Sequence, residues 1–399
     1  MAIFDTIIAV VFILYLVTSL LLLYGLRCSH RLHPNLVRND RELPLISVLI
    51  AARNEEKRIS GCIAALLQSD YPVDRFEIII IDDRSQDGTL PIAQAYARNH
   101  ANVRVVSLHQ RLEGMSGKAS ALCQGIEHAR GDIFLVTDAD CLVPPSWMPA
   151  MVSHFLPEVG LVGGFTLLSP SQTNSLSSEI ETQDGIFAKV QTLDWMYLLT
   201  AGAGAAGLGK PVSILGNNFG FRRAAYEQVG GYRAIGFTII EDFALMQKIE
   251  RETDWTVRFP LDRRTAIFSF PAESWRFFFD QRQRWAAGGK EVGLFAKYLM
   301  LTAFLMHITV PVAALFSPLL ALCGLFSMLS ADLLLLWRCA SKLGRMDLLK
   351  HFLLFEIYFF TYSLVLAGTV ALPATVHWKG VRYRWSWRGK VKSVEERPV

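Results

Sequence analysis

The chain has 399 residues, of which 52% are apolar, with a formal net charge of +4 and a mean hydropathy of +0.29. That hydropathy is high for a soluble protein and directs attention to membrane spans; the small positive charge is explained by membrane flanks and gives no argument for a nucleic-acid partner. The six cysteines (Cys28, Cys62, Cys123, Cys141, Cys323, Cys339) form no C-x-x-C pair, which fits a reducing cytosol and argues against a zinc site.

Ile3–Leu26 is almost wholly apolar, with only Asp5 charged, and is long enough to cross a bilayer. A cleaved signal peptide would start with a basic region and end at a small-residue site, and this segment has neither. Residues 1–27 are therefore expected to be a retained transmembrane helix. Arg27, His30, Arg31, His33, Arg38 and Arg41 follow it, which puts the next domain on the cytosolic side.

Residues 44–270 read as a single α/β domain. Ile46–Ala52, Glu77–Ile81, Val103–Ser107 and Ile133–Thr137 are short runs rich in β-branched residues, expected as buried strands. Glu55–Leu67, Leu90–Arg98 and Lys118–Ala129 between them read as helices. This alternation predicts a mostly parallel sheet covered on both faces, with ligands beyond the carboxyl ends of the strands. Ala201–Gly209 (AGAGAAGLG) reads as a loop or as a close approach of two backbones.

Residues 273–298 carry Trp275, Phe278, Phe279, Trp285 and Ala286 at helical spacing, with Arg276, Arg282 and Arg284 between them. An amphipathic helix in the membrane interface is expected, an ordinary surface helix being the alternative. Residues 300–373 read as a membrane bundle of about three helices. Met300–Trp337 is too long for one span, and Pro311 and Pro318 offer a break for a hairpin; His351–Leu372 adds a third span. Residues 374–399 form a basic tail. The loop with Arg338, Lys342, Arg345 and Lys350 and the tail with Lys379, Arg382, Arg384, Arg388, Lys390 and Lys392 lie one span apart, so only one obeys the positive-inside rule. The loop is the one expected in the cytosol. Asp332 and Glu356 read as snorkelling to the interface, with a polar path through the bundle as the alternative.

Acidic residues gather where the sheet places a site. Asp82 and Asp83 end one strand, Asp138 and Asp140 end another as T-D-A-D, and Glu241 and Asp242 follow an apolar stretch in I-I-E-D. Any one pair could be an ordinary strand end or helix cap; the set together points to one ligand. Asp-x-Asp suits a hard divalent cation, Mg²⁺ or Mn²⁺, that bridges phosphate oxygens. A carboxylate away from the cation can act as general base.

These residues carry a resemblance. I-S-V-L-I-A-A-R-N-E-E (Ile46–Glu56), I-I-I-I-D-D-R-S-Q-D-G-T (Ile78–Thr89), G-K-A-S-A-L (Gly117–Leu122), T-D-A-D (Thr137–Asp140), I-L-G-N-N-F-G-F-R-R (Ile214–Arg223), I-E-D (Ile240–Asp242) and Q-R-Q-R-W (Gln281–Trp285) span about 240 residues. Their order resembles that of the membrane-bound family-2 glycosyltransferases with a GT-A fold. That group includes cellulose, hyaluronan and poly-N-acetylglucosamine synthases and the enzymes that glucosylate ceramide or carotenoids. The resemblance implies that Arg53, Glu55, Asp83, Lys118 and Asp138 bind a UDP-sugar, that Asp140 binds the metal and that Asp242 is the general base of an inverting transfer. It implies that Asn218, Glu241, Gln281, Arg284 and Trp285 meet the diphosphate or the acceptor. An integral membrane enzyme of the bacterial cell membrane, with its catalytic domain in the cytosol, follows. The small membrane part favours a lipid or lipid-linked acceptor over a growing glycan. A non-catalytic nucleotide-binding scaffold is the reading from another class, and the intact acidic set argues against it. The sequence identifies neither the sugar nor an accessory subunit.

Overall fold

The computed structural model describes residues 2–31, 43–169, 185–272, 274–288, 292–370, 375–378, 381–385 and 391–396. His33, Arg38, Arg41 and Glu273, and Lys379, Arg388 and Lys390 of the tail, lie outside the described residues. After α1 (Ala2–Arg31) the chain alternates as β1 (Ile46–Ala52), α2 (Ile59–Leu67), β2 (Phe76–Asp82), α3 (Thr89–Asn99), β3 (Val103–Ser107), α4 (Gly117–Glu127) and β4 (Ile133–Asp138). It continues through α5 (Trp147–Ser153), β5 (Val159–Gly163), β6 (Thr166–Leu168), α6 (Ile186–Gly207), β7 (Asn218–Arg222), α7 (Arg223–Gln228) and α8 (Gly231–Ile235). Then come α9 (Glu241–Glu252), β8 (Thr256–Arg258) and β9 (Ile267–Ser269).

Seven strands form one sheet in the order β3-β2-β1-β4-β7-β5-β8. β1, β2, β3 and β4 run parallel, whereas β7 is antiparallel to both β4 and β5. β2 is buried at every position and β1 at all but one, which is why both read as near-continuous apolar runs rather than alternating ones. The register aligns the carboxyl ends: Ala52 faces Asp82, Ala51 faces Asp138, and Thr137 faces Asn218 at the start of β7. One edge of the sheet therefore collects the loops after β1, β2 and β4 and the loop that leads into β7.

The C-terminal part contains α10 (Trp275–Gly288), α11 (Leu294–Phe316), α12 (Pro318–Leu343), α13 (Phe352–Val370) and the antiparallel strands β10 (Thr375–Trp378), β11 (Val381–Trp385) and β12 (Val391–Glu396). Among the described residues four segments are long and apolar enough to cross a membrane: Ile3–Ser29, Leu294–Phe316, Pro318–Leu343 and Met346–Val365. The hairpin breaks at Ser317–Pro318, where proline opens α12 at its first position; Pro311 stays inside α11. The Arg27 end of α1 docks on the α/β domain through Ser29 Oγ, which donates to Phe259 O at 3.2 Å. The end of α12 reaches the same domain, since a Cβ on Gly344 would sit 3.0 Å from Arg263 Nη1.

The structure resolves two sequence expectations. Of the two readings of Ala201–Gly209, the close approach of two backbones holds and the loop does not: Ala201–Gly207 forms the last turns of α6. Its small residues are there for contact: a Cβ on Gly204 would meet Leu22 O at 2.6 Å, one on Gly207 would run into Gly25 O, and one on Gly25 would run into Gly204 O. Asp332 and Glu356 do not snorkel; they are 2% and 6% exposed. Asp332 accepts hydrogen bonds from Tyr15 and, at 2.9 Å, from Tyr197, tying α12 to α1 and α6.

Candidate active site

The loops after β1 and β2 are laced together. Asn54 and Arg84 both adopt positive φ (57° and 60°), a region that few residues other than glycine enter. Cross-loop bonds hold them: Asn54 N donates to Ser85 Oγ (3.0 Å), Gln86 N to Asn54 Oδ1 (2.8 Å), Glu55 N to Thr89 Oγ1 (2.7 Å) and Gly88 N to Glu56 Oε2 (2.8 Å). This lacing accounts for the polar residues of N-E-E and S-Q-D-G-T. It leaves Arg53, Glu55 and Asp83 lining a cavity, with Arg84 Nε donating to Asp83 Oδ1 at 2.9 Å.

Lys118, on the first turn of α4, is the hub of the next layer. Its Nζ donates to Asp138 Oδ1 (2.6 Å) and Gly216 O (2.9 Å) and lies 3.5 Å from Glu241 Oε1. Burial alone would lower its pKa, but the carboxylates of Asp138 and Glu241 outweigh that and raise it, so the ammonium is permanent. Asp138 and Asp140 flank buried Ala139 in a turn closed by Cys141 N donating to Asp138 O at 3.0 Å, and both carboxylates border the cavity. Behind the turn lie the thiols of Cys62 and Cys141. Burial first, then the charges of Asp140 and Asp138, push both upward and favour the protonated thiol.

Asp242 sits in the first turn of α9, where its Oδ1 accepts from Phe243 N at 2.8 Å. Burial and then the neighbouring Glu241 carboxylate raise its pKa to about 7, against the opposing pull of Lys118, the Phe243 N–H and Arg284. Gly216 makes room for it, since a Cβ there would lie 2.8 Å from Asp242 Oδ2 and 3.3 Å from Lys118 Nζ.

Gln281, Arg284 and Trp285 of α10 line the same cavity. Arg284 Nη1 donates to Ile239 O at 3.4 Å, just before α9. Trp285 packs on Trp195 with ring centroids 5.4 Å apart. The cavity has a volume of about 1280 Å³ and runs from Asp83 and Asp140, past Asp242, to Tyr15 and Thr18 of α1, His307 of α11 and Phe359 of α13. Among the described residues no three His, Cys, Asp or Glu side chains cluster as a metal cage.

Residues 47–230 match the sequence family described as "Glycosyl transferase family 2". The chain carries a family-2 glycosyltransferase domain. It is 30% identical over 272 residues to the probable glycosyltransferase YdaM of Bacillus subtilis, covering 65% of this chain and 59% of that protein. It is 28% identical over 250 residues to poly-β-1,6-N-acetyl-D-glucosamine synthase of Staphylococcus epidermidis, covering 62% and 55%. Over 251 residues it is 28% identical to β-monoglucosyldiacylglycerol synthase of Trichormus variabilis, covering 62% and 49%. The chain thus spans between about half and three-fifths of the length of these relatives. Among solved structures it resembles mannosyltransferase PcManGT from Pyrobaculum calidifontis, solved in complex with GDP-Man and Mn²⁺. The TM-score is 0.54 at 20% identity, covering 89% of this chain and 99% of that one. That likeness is one of fold, and the glycosyltransferase domain is GT-A-like.

Within the glycosyltransferase domain, one residue expected at the diphosphate or acceptor points elsewhere. Asn218 is fully buried: its Oδ1 accepts from Trp147 Nε1 (3.0 Å) and its Nδ2 donates to Phe165 O (2.7 Å) and Thr265 O (3.0 Å). It belongs to a strand whose side chains alternate, and the alternation sends it into the core. Asn217 borders the cavity instead, with Oδ1 accepting from Thr166 Oγ1 at 2.9 Å. Arg282, expected among the cations of an interface helix, is also buried. It pairs with Asp194 of α6, and its guanidinium lies 4.3 Å over the Trp285 ring. Tyr362 Oη completes the cluster, donating to Asp194 Oδ1 at 2.7 Å. A signal for this pair was present: Asp194 is a lone charge in the apolar run Val190–Leu199 and requires a buried cation.

Proposed function

We propose that the chain transfers a hexose or N-acetylhexosamine from a UDP-sugar to a lipid or lipid-linked acceptor at the cytosolic face of a membrane. The observation that carries this reading is the single cavity, acidic at the sheet edge and continued between α1, α11 and α13. A soluble acceptor would not need an opening among membrane helices. The basic Arg27 end of α1, docked on the domain, supports the cytosolic side.

In this mechanism the laced loops with Arg53, Glu55 and Asp83 hold the nucleoside. Asp242 accepts the proton of the acceptor hydroxyl as that oxygen attacks the anomeric carbon, and the C–O bond to UDP breaks on the opposite face. A pKa near the working pH suits a base that must be ionised yet take a proton. Lys118 ties Asp138 to the segment bearing Gly216 and keeps the donor side and the base in register. Arg284 offers a cationic fork to the departing diphosphate, and Trp285 offers a flat face for a sugar ring. Asp140, with Asp138 beside it, would hold Mg²⁺ or Mn²⁺, whose charge offsets that of the leaving group. The donor set fits: carboxylate oxygens face the cavity, the thiols behind them favour the protonated form, and phosphate oxygens would complete the coordination.

A processive synthase is the second reading. Tyr15, Thr18, Ser19 and Tyr197 line the membrane end of the cavity, and such a polar lining suits a hydroxylated chain. The test is mass analysis of products from the full chain in nanodiscs with diacylglycerol and a panel of labelled UDP-sugars. One sugar per lipid supports the proposal, and a ladder of glycans supports the second reading. Turnover of no donor sinks both.

A further inference from the structure

The membrane end of the cavity runs along α11, which borders it from Ala296 through residues 299–304 to His307. From Ala296 to His307 the helix rises ~16 Å, roughly half the thickness of a hydrocarbon core. His307 is 3% exposed and its ring is held on three sides. Nδ1 lies 2.8 Å from Ala303 O, one turn back, and the ring packs against Phe359 at 5.4 Å and Phe360 at 6.2 Å.

The Ala303 contact settles the tautomer. A carbonyl oxygen only accepts, so Nδ1 carries the proton and Nε2 presents a bare lone pair. Among the described residues Nε2 has no hydrogen-bond partner, in a ring that borders the cavity. Two hydroxyls that also border the cavity are engaged elsewhere: Tyr15 with Asp332 and Tyr197, and Thr18 with Leu14 O and Tyr298. Buried polar groups are otherwise almost always satisfied, so an orphaned acceptor in a residue that borders a cavity marks where a donor is meant to arrive.

We propose that His307 Nε2 is a fixed hydrogen-bond acceptor for an O–H or N–H group on the molecule that fills the membrane arm. A saturated hydrocarbon chain offers no donor and would leave the nitrogen unmet. A sugar hydroxyl meets it, as does a hydroxyl or amide in the polar backbone of a lipid. The inference rests on the transfer reading only in taking the occupant of the arm to be the acceptor. His307 is a binding residue in this account and takes no part in the bond-making step.

The test compares wild type, His307→Phe and His307→Gln as full chains in nanodiscs with saturating UDP. Phenylalanine keeps the stacking and removes the acceptor; glutamine restores an acceptor. Binding is titrated with diacylglycerol, with a short β-linked glucose oligosaccharide and with triacylglycerol, which has no hydroxyl. UDP binding equal in all three proteins shows that each is folded. The expected result is that a hydroxyl-bearing probe binds His307→Phe about tenfold more weakly than wild type, the scale of one hydrogen bond, while His307→Gln recovers most of the loss. Triacylglycerol, if it binds, is indifferent to the substitution. A difference confined to diacylglycerol names a lipid source, and one confined to the oligosaccharide names a glycan. Equal binding by wild type and His307→Phe, no recovery in His307→Gln, or no binding of either hydroxyl-bearing probe to wild type overturns the proposal. If the difference holds but wild type transfers no sugar to the bound probe, the transfer reading fails and the His307 contact stands.

Discussion

Replacing Glu241 by glutamine should lower the pH at which the enzyme switches on. Asp242 is held at about 7, first by burial and then by the Glu241 carboxylate, with Lys118 pulling the other way. A general base works ionised. At that value roughly a tenth of Asp242 is ionised at pH 6 and roughly nine-tenths at pH 8, so kcat/KM should rise about tenfold between them. Glu241→Gln removes the charge repulsion and leaves the burial, so the midpoint moves down. A fall of about one unit, ~1.4 kcal/mol of repulsion, would raise kcat/KM at pH 6 about fivefold and leave pH 8 nearly unchanged. Lys118 keeps its bonds to Asp138 and Gly216 O in that variant, so the hub survives. The assay is the initial rate of sugar transfer at subsaturating donor, across pH, with the full chain in nanodiscs. Asp242→Asn serves as the reference, down ~10²- to 10⁴-fold and without the acid limb. A wild-type profile flat from pH 6 to 8, or a midpoint that stays or rises in Glu241→Gln, would refute the reasoning.

Gly216→Ala should place a methyl group 2.8 Å from Asp242 Oδ2 and push the base off line, costing about ten- to a hundredfold in kcat with UDP affinity retained; calorimetry and rates separate the two. Arg282→Met leaves Asp194 buried without its cation and should destabilise by ~3–5 kcal/mol, while adding Asp194→Leu recovers most of it, as read from thermal unfolding. Asn218→Ala should cost ~2–3 kcal/mol through the three unmet partners of Trp147, Phe165 and Thr265, with an acceptor KM like that of wild type. Chelation with EDTA should abolish transfer, Mn²⁺ or Mg²⁺ should restore it, and Asp140→Asn should need far more metal for the same rate; full activity in EDTA would remove the cation from the mechanism.

Much of the site could be read from local pattern. Strands β1, β2 and β4 are mostly apolar runs rich in branched residues, and each leads directly into acidic or polar residues; a parallel sheet then carries those ends to one edge. The four spans are equally local, since hydrophobic length alone marks them. Small-residue stretches are less legible, because AGAGAAGLG has the composition of a loop. It is helical because α1 presses against it at Gly25 and Leu22, a contact that lies elsewhere in the chain.

By itself, then, the sequence determined the strand-end acids, the membrane segments and the family motifs, all of which depend on residues close together in the chain. Only the tertiary structure decided that Asn218 turns into the core and Asn217 borders the cavity, that Arg282 pairs with Asp194 88 residues away, and that Asp332 binds two tyrosines instead of reaching for water. The physical reason is common to all three. A buried polar group is stable only with its partner in place, and the partner is set by how distant elements pack, which no local spacing encodes.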